Sequence, residues 1–180
     1  MVIVRRAKAY SKRRPLANTR KSKKTQYSYV KQVPVQKIVK FNMGDPLGFE
    51  QGKYKIKIAV TNEEPIQIRD LALEAFRQSV HKDMAVLLQK NYFLRCHAYP
   101  HNILRNNRVY SGGSKGERIQ TGMSKSFGTS EGRAAVLRKG KPVFSAYFNG
   151  EENIPKVRSY FKKAVPKLPC KTKIVVELLK

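Results

Sequence analysis

The first 44 residues contain thirteen Lys and Arg and no carboxylate, and the first acid is Asp45. No other feature constrains the chain as strongly. Like charges at this density repel one another unless a polyanion neutralises them, and the run exceeds what solubility asks of a solvated face. Within it, residues 11–26 (SKRRPLANTRKSKKTQ) carry almost no large apolar side chain, so they cannot bury enough surface to offset their ordering entropy. The expectation is an extended basic arm over residues 1–32, in which residues 11–26 stay mobile until a polyanion fixes them. Tyr10, Tyr27 and Tyr29 stand among its bases and serve either stacking on unpaired nucleobases or ordinary packing.

The rest of the chain is less one-sided. Residues 45–100 hold 8 bases and 7 acids, residues 101–155 hold 9 and 4, and residues 156–180 hold 8 and 1. The net charge of +26 on 180 residues thus lies in the amino-terminal arm, a glycine-rich middle stretch and the carboxyl-terminal segment. An apolar content of 41% supplies a modest core and excludes full disorder. Two cysteines exclude a disulfide framework and fit a reducing compartment. No run approaches the roughly 18 apolar residues of a membrane span. The opening MVIVRRAKAYSKRRP lacks the apolar core of a secretory signal, so a cytoplasmic location is expected.

From residue 33 a globular α+β domain, residues 33–180, is expected. VPVQKIVKF reads as a strand. In KYKIKIAVT, Tyr54, Ile56, Ile58 and Val60 alternate with Lys53, Lys55 and Lys57, which predicts a half-buried strand presenting three ammonium groups. Asn62, Glu63 and Glu64 before Pro65 suit a helix start, and Ile68, Leu71, Ala72, Ala75, Phe76, Ser79 and Val80 keep helical spacing, extended by Met84 to Leu88. NYFLRCHAYP reads as a strand, RAAVLRK and PVFSAYFN as a hairpin closed by Gly140 and Lys141, NIPKVRSYFKKAV as a helix stopped by Pro166, and KTKIVVELL as a last strand. Between strands lies HNILRNNRVYSGGSKGERIQTGMSKSFGTSEG, a connection whose length marks a functional or a floppy loop. Its glycines expose backbone amides, and Arg105, Arg108, Lys115, Arg118 and Lys125 charge it.

Chemistry finds little footing. Cys96, His97 and His101 fall within six residues, but a zinc site needs four ligands, and adjacent strand positions face opposite ways. Cys96 reads as core, and His97 or His101 as a hydrogen-bonding group near phosphate or base. GGSKGER lacks the spacing of a phosphate-binding loop, and Glu117 and Glu131 are the only acids between Asp83 and Glu151, too few for a metal-dependent nuclease. Two other classes remain as competitors: an RNA-modifying or RNA-cleaving enzyme using His97 or His101, and a polybasic module for chromatin or anionic membranes, the latter disfavoured because no basic segment is strongly amphipathic.

IRDLALEAFRQSV, HAYPHNILRNNR, ERIQTGMSKSFGTSEGRAAVLRKGKPVFS and AVPKLPCKTKIVVE, in this order, resemble the large-subunit ribosomal protein L-sixteen family, called L-ten-e in archaea and eukaryotes. VRRAKAYSK and VPVQKIVKFNMG resemble that family's basic arm and first strand, so the likeness spans nearly the whole chain. Because the chain stops soon after its last strand, it looks archaeal. The resemblance implies a hammerhead-type antiparallel sheet with two covering helices and an extended basic arm. It also implies a non-enzymatic role without cofactor, metal, membrane or small-molecule substrate, with rRNA, tRNA and neighbouring large-subunit proteins as partners. rRNA contacts would fall on Arg5, Arg6, Lys8, Lys12, Arg13, Arg14, Arg20, Lys21, Lys23 and Lys24 of the arm, and on His101, Arg118, Gly122, Met123, Lys125 and Gly128. The family's internal loop near the tRNA acceptor end maps onto about 105–120, with Arg105, Asn107, Arg108, Ser111, Gly112, Gly113 and Lys115. There the chain departs from the family: SGGSKGER replaces a small-residue stretch ending in Gly-Ala-Asp-Arg, adding Lys115 and exchanging the aspartate for Glu117.

Overall fold

The computed structural model describes residues 6–12, 17, 24, 26, 30, 32–106 and 129–179. The alternation of KYKIKIAVT forms a strand over part of its length. Tyr54 precedes the strand and packs instead with Phe93 and Tyr147, and Lys53 and Lys55, also outside it, are exposed. β2 (Ile56–Asn62) buries Ile56, Ile58 and Val60 on one face and leaves Lys57 half-buried. It pairs antiparallel with β7 (Pro142–Phe148) on one side and β8 (Thr172–Leu178) on the other. With β4 (Tyr92–Cys96) and β1 (Asn42–Gly44) this gives a five-stranded sheet in the order β1-β4-β7-β2-β8. A second, three-stranded antiparallel sheet has the order β3-β6-β5, from Ile66–Arg69, Thr129–Leu137 and Asn102–Asn106.

One face of the larger sheet is covered by α2 (Asp70–Leu88) and α3 (Ile154–Ala164). Leu73, Phe76, Val80 and Met84 of α2 recur at three- and four-residue spacing and are all fully buried. Phe76 stacks on Phe144 with ring centres 4.6 Å apart and meets the edge of Phe161 at 5.9 Å. Pro155 opens α3, and Lys162 and Lys163 in its last turn complement the helix dipole. On the opposite face, short α1 (Pro46–Glu50) is capped by Asp45, which accepts from Gly48 N at 3.1 Å, and lays Phe49 on Phe93 and Tyr147.

Three local expectations are corrected. The helix does not begin around Asn62–Pro65: Ile66–Arg69 is a strand buried throughout, and α2 starts at Asp70. Pairing decides this, because Ile66 to Arg69 lie against Leu137 to Ala134 of β6. Residues 33–41 run without a ladder. Between Pro34 and Val39 side chains take backbone groups instead: Lys37 N donates to Asp70 Oδ2 at 3.1 Å, Val39 N to Glu74 Oε2 at 3.4 Å, and Arg133 Nε to Pro34 O at 2.8 Å. The turn at Gly140 exists, with φ of 77°, but its flanking strands do not pair; β6 enters the small sheet and β7 the large one.

Candidate nucleic-acid interface

The small sheet is where the two cationic segments meet. Residues 6–12 lie along the outer edge of β3: Lys12 bridges Ile66, Gln67 N donates to Ser11 O at 3.1 Å, and Gln67 Nε2 donates to Tyr10 O. Buried Gln67 also accepts from Asn102 Nδ2 at 2.8 Å, which ties this edge to β5. Tyr10 Oη donates to Glu131 Oε2 on β6 at 3.2 Å. Ala7 and Tyr10 pack down while Arg6, Lys8 and Lys12 stay exposed, so the docked segment holds three cations outward from a fixed backbone. Further along, Ser130 Oγ donates to Gln32 O, so β6 receives this part of the chain a second time.

β5 and β6 are the stem from which the long glycine-rich segment leaves and to which it returns. Asn106 faces Thr129 and Arg105 faces Ser130, with a register shift between Leu104 and Arg105. Ile103, Leu104, Ala134 and Ala135 bury the base of the stem. The loop ends are thereby set on a rigid ribbon, where chemistry-bearing loops are commonly placed. The stem strand Asn102–Asn106 was not anticipated, because Ile103 and Leu104 are adjacent and both buried, which masks alternation.

Among the expected contact residues, Arg6, Lys8, Lys12 and Lys24 are exposed, and Arg105 is half-buried near the end of β5. His101 is half-buried, with Nδ1 3.0 Å from Tyr99 O. Arg5, Arg13, Arg14, Arg20, Lys21, Lys23, Asn107, Arg108, Ser111, Gly112, Gly113, Lys115, Arg118, Gly122, Met123, Lys125 and Gly128 lie outside the described residues. The arm and the loop, separate in sequence, thus share one support.

A second basic surface lies on the face of the large sheet turned away from α2 and α3. Arg95 and His97 of and after β4 are exposed there, and His97 Nε2 is 2.9 Å from Oγ of fully buried Ser145. Desolvation of the ring against the sheet holds the His97 imidazole below its ordinary pKa, helped by the charges of Arg95 and Lys57. Lys57 is paired with Glu177 at 2.7 Å, while Lys53 and Lys55 are exposed. Arg95 was missed in the sequence, yet its signal was available: Tyr92, Leu94 and Cys96 alternate with Phe93, Arg95 and His97.

Neither thiol is poised for chemistry. Burial pushes Cys96 up to about 12, and burial, with Glu64 nearby, pushes Cys170 up to about 11. Alkylation of both in the folded chain at neutral pH is expected to run at least about a hundredfold slower than in the denatured chain; matching rates, read by mass spectrometry, would refute their burial. Among the described residues no group of three or more His, Cys, Asp or Glu could hold a metal, and no helix is long and apolar enough to cross a membrane.

A basic α+β body that gathers two cationic segments on one small sheet has the build of an RNA-binding protein. Residues 16–175 match the family model of ribosomal protein L16p/L10e, and the chain belongs to that family. It is 35% identical over 154 residues to the large ribosomal subunit protein uL16 of Pyrobaculum aerophilum, covering 85% of this chain and 84% of that one. To uL16 of Hyperthermus butylicus it is 35% identical over 175 residues, covering 97% and 93%. To uL16 of Methanoculleus marisnigri it is 32% identical over 161 residues, covering 89% and 91%.

Proposed function

We propose that the chain is a structural constituent of the large ribosomal subunit that binds large-subunit rRNA in the cytoplasm and helps position aminoacyl- and peptidyl-site tRNA near the peptidyl transferase region. The observation that carries this reading is the docking of residues 6–12 on β3 beside the β5–β6 stem, which puts arm and loop on one platform. The basic arm, residues 1–32, reaches between RNA helices from its docked residues 6–12, its ordering cost offset by counterion release, and the hammerhead-type body docks by shape. The loop over about 105–120 reaches toward tRNA acceptor ends. Phosphate contacts by arm and body set register and carry no sequence information of their own.

Two measurements test this. With about eight phosphates neutralised, log K for an rRNA fragment should fall with log salt at a slope of roughly −7, or about −6 for single strands. Replacing Arg6, Lys8 and Lys12 together by Gln should make that slope shallower by about 2–3; an unchanged slope removes the docked segment from the interface. Deleting Asn107 to Lys115 is expected to impair tRNA accommodation while subunit incorporation persists. Loss of incorporation with intact tRNA binding would overturn the loop assignment.

A further inference from the structure

Tyr99 is 56% exposed, and it is the one aromatic among the large apolar side chains left open in the described residues. Its ring stacks on Phe41, with centroids 5.7 Å apart and planes inclined by 29°. Phe41 in turn packs against the helix-covered core, and its carbonyl accepts Cys96 N at 2.8 Å. One face of Tyr99 is thus backed by a fixed ring, and the other is bare. The backbone is fixed as well. Ala98 and Pro100 on either side are buried, Cys96 Sγ donates to Ala98 O at 3.5 Å, and His101 N donates to Tyr99 O at 2.9 Å. An aromatic held in this way loses little freedom when a second flat group settles on it.

The surroundings are cationic. Phe41 and Tyr99 come from two stretches, residues 1–44 and 84–116, that contain no Asp or Glu. The stretches lie side by side here, with Asn42 facing Arg95, and Lys40, Arg95 and His97 are exposed on them. Tyr99 also stands on the chain path between the two basic surfaces. β4, with Arg95, ends at Cys96 just before it, and β5, which opens the loop stem, begins at Asn102 just after. A polyanion that spans both surfaces passes this ring.

We propose that Tyr99, backed by Phe41, stacks one unpaired nucleobase of the bound RNA, while Lys40, Arg95 and His97 take the phosphates beside it. The inference rests on the RNA-binding reading above and adds a site to it. A nucleotide is the ligand that brings a flat aromatic group and an anion together, as this arrangement requires. Splayed-out bases of single-stranded RNA commonly lie on aromatic side chains. Every base has such a face, so the site selects an unpaired nucleotide and not a sequence. In a continuous duplex each base is already stacked on its neighbours, so Tyr99 marks a bulge, a loop or a strand end.

The test uses the full chain and fluorescein-labelled single-stranded RNA, about twelve adenylates long, read by fluorescence anisotropy over a range of salt. A matched abasic strand keeps every phosphate and loses the bases. Tyr99→Leu keeps Phe41 covered and removes the aromatic face. It should weaken adenylate binding about tenfold with an unchanged salt slope, because no phosphate contact is lost. Tyr99→Trp should bind at least as tightly as the native chain, and on the abasic strand the native and Tyr99→Leu proteins should bind alike. Unchanged adenylate binding by Tyr99→Leu overturns the proposal and leaves the ring, with exposed Val39, as an apolar pad for a neighbouring protein. An equal loss on the abasic strand overturns it too, because the effect is then not stacking. So does a native chain that shows no preference for the adenylate strand, a readout that needs no variant. If the native chain binds neither strand, the RNA-binding reading itself falls, and this site with it.

Discussion

Glu74→Ala is expected to cost about 3–5 kcal/mol of folding free energy. Glu74 and Arg77 sit one helical turn apart with side chains only 11% and 10% exposed. Arg77 Nε donates to Glu74 Oε2 at 2.7 Å and Arg77 Nη2 to Glu74 Oε1, and Gln78 Nε2 adds a bond at 3.0 Å. The same carboxylate receives Val39 N, so it also anchors the segment that lacks a ladder. Truncation strands a buried guanidinium whose remaining hydrogen-bond contact among the described residues is Met43 Sδ at 3.3 Å. The Arg77 hydrogen bond holds the Glu74 carboxyl below its ordinary value of 4.5, and the same bond raises Arg77. A lowered carboxyl contributes stability that is present above pH 4.5 and is lost as pH falls through the depressed value. Denaturant midpoints should therefore separate the two proteins widely at neutral pH and converge in acid. A loss under about 1 kcal/mol at neutral pH would show that the pair contributes no more than a surface pair.

Gly44→Ala is expected to cost at least about 3 kcal/mol and to lower Tm by about 6–12 °C. The residue has φ of 92°, in the region L side chains avoid, and a Cβ there would lie 2.0 Å from the Tyr92 carbonyl oxygen. That carbonyl cannot retreat freely, because it accepts Asp45 N at 2.9 Å. Gly52 and Gly140 supply the control: their φ values are 70° and 77°, and nothing lies within 4 Å of the place a methyl would occupy. Alanine at either should cost only about 1 kcal/mol. Equal melting temperatures for all three variants would refute the steric argument at Gly44.

What the sequence revealed and what it withheld divide along local and non-local lines. Ile56 to Val60 and Leu73 to Met84 carry their periods in the side chains themselves, so strand and helix were legible, although Tyr54, counted with that strand, packs with Phe93 and Tyr147 on the other face. Ile66–Arg69 carries no period because it is buried throughout, and the acids and proline before it mimic a helix start. In VPVQKIVKF the alternation is real: Val35 and Val39 are 77% and 73% exposed while Ile38 is buried. It forms no ladder because Asp70 and Glu74, more than thirty residues away, take its amides. Charge counting placed the cationic segments but not their convergence, which depends on Lys12 meeting Ile66 and Asn106 meeting Thr129.

The corner between β6 and β7 is clamped by one residue, through its side chain and its backbone. Asn62 Nδ2 donates to Arg138 O at 2.9 Å, Asn62 N to Lys141 O at 3.3 Å, and Gly140 N to Asn62 O at 2.8 Å. The strand that carries the loop, β6, and the main-sheet strands β2 and β7 are thus tied together at one joint. Amide exchange at Gly140, whose N–H is held by the Asn62 carbonyl, should report how firmly that joint is locked.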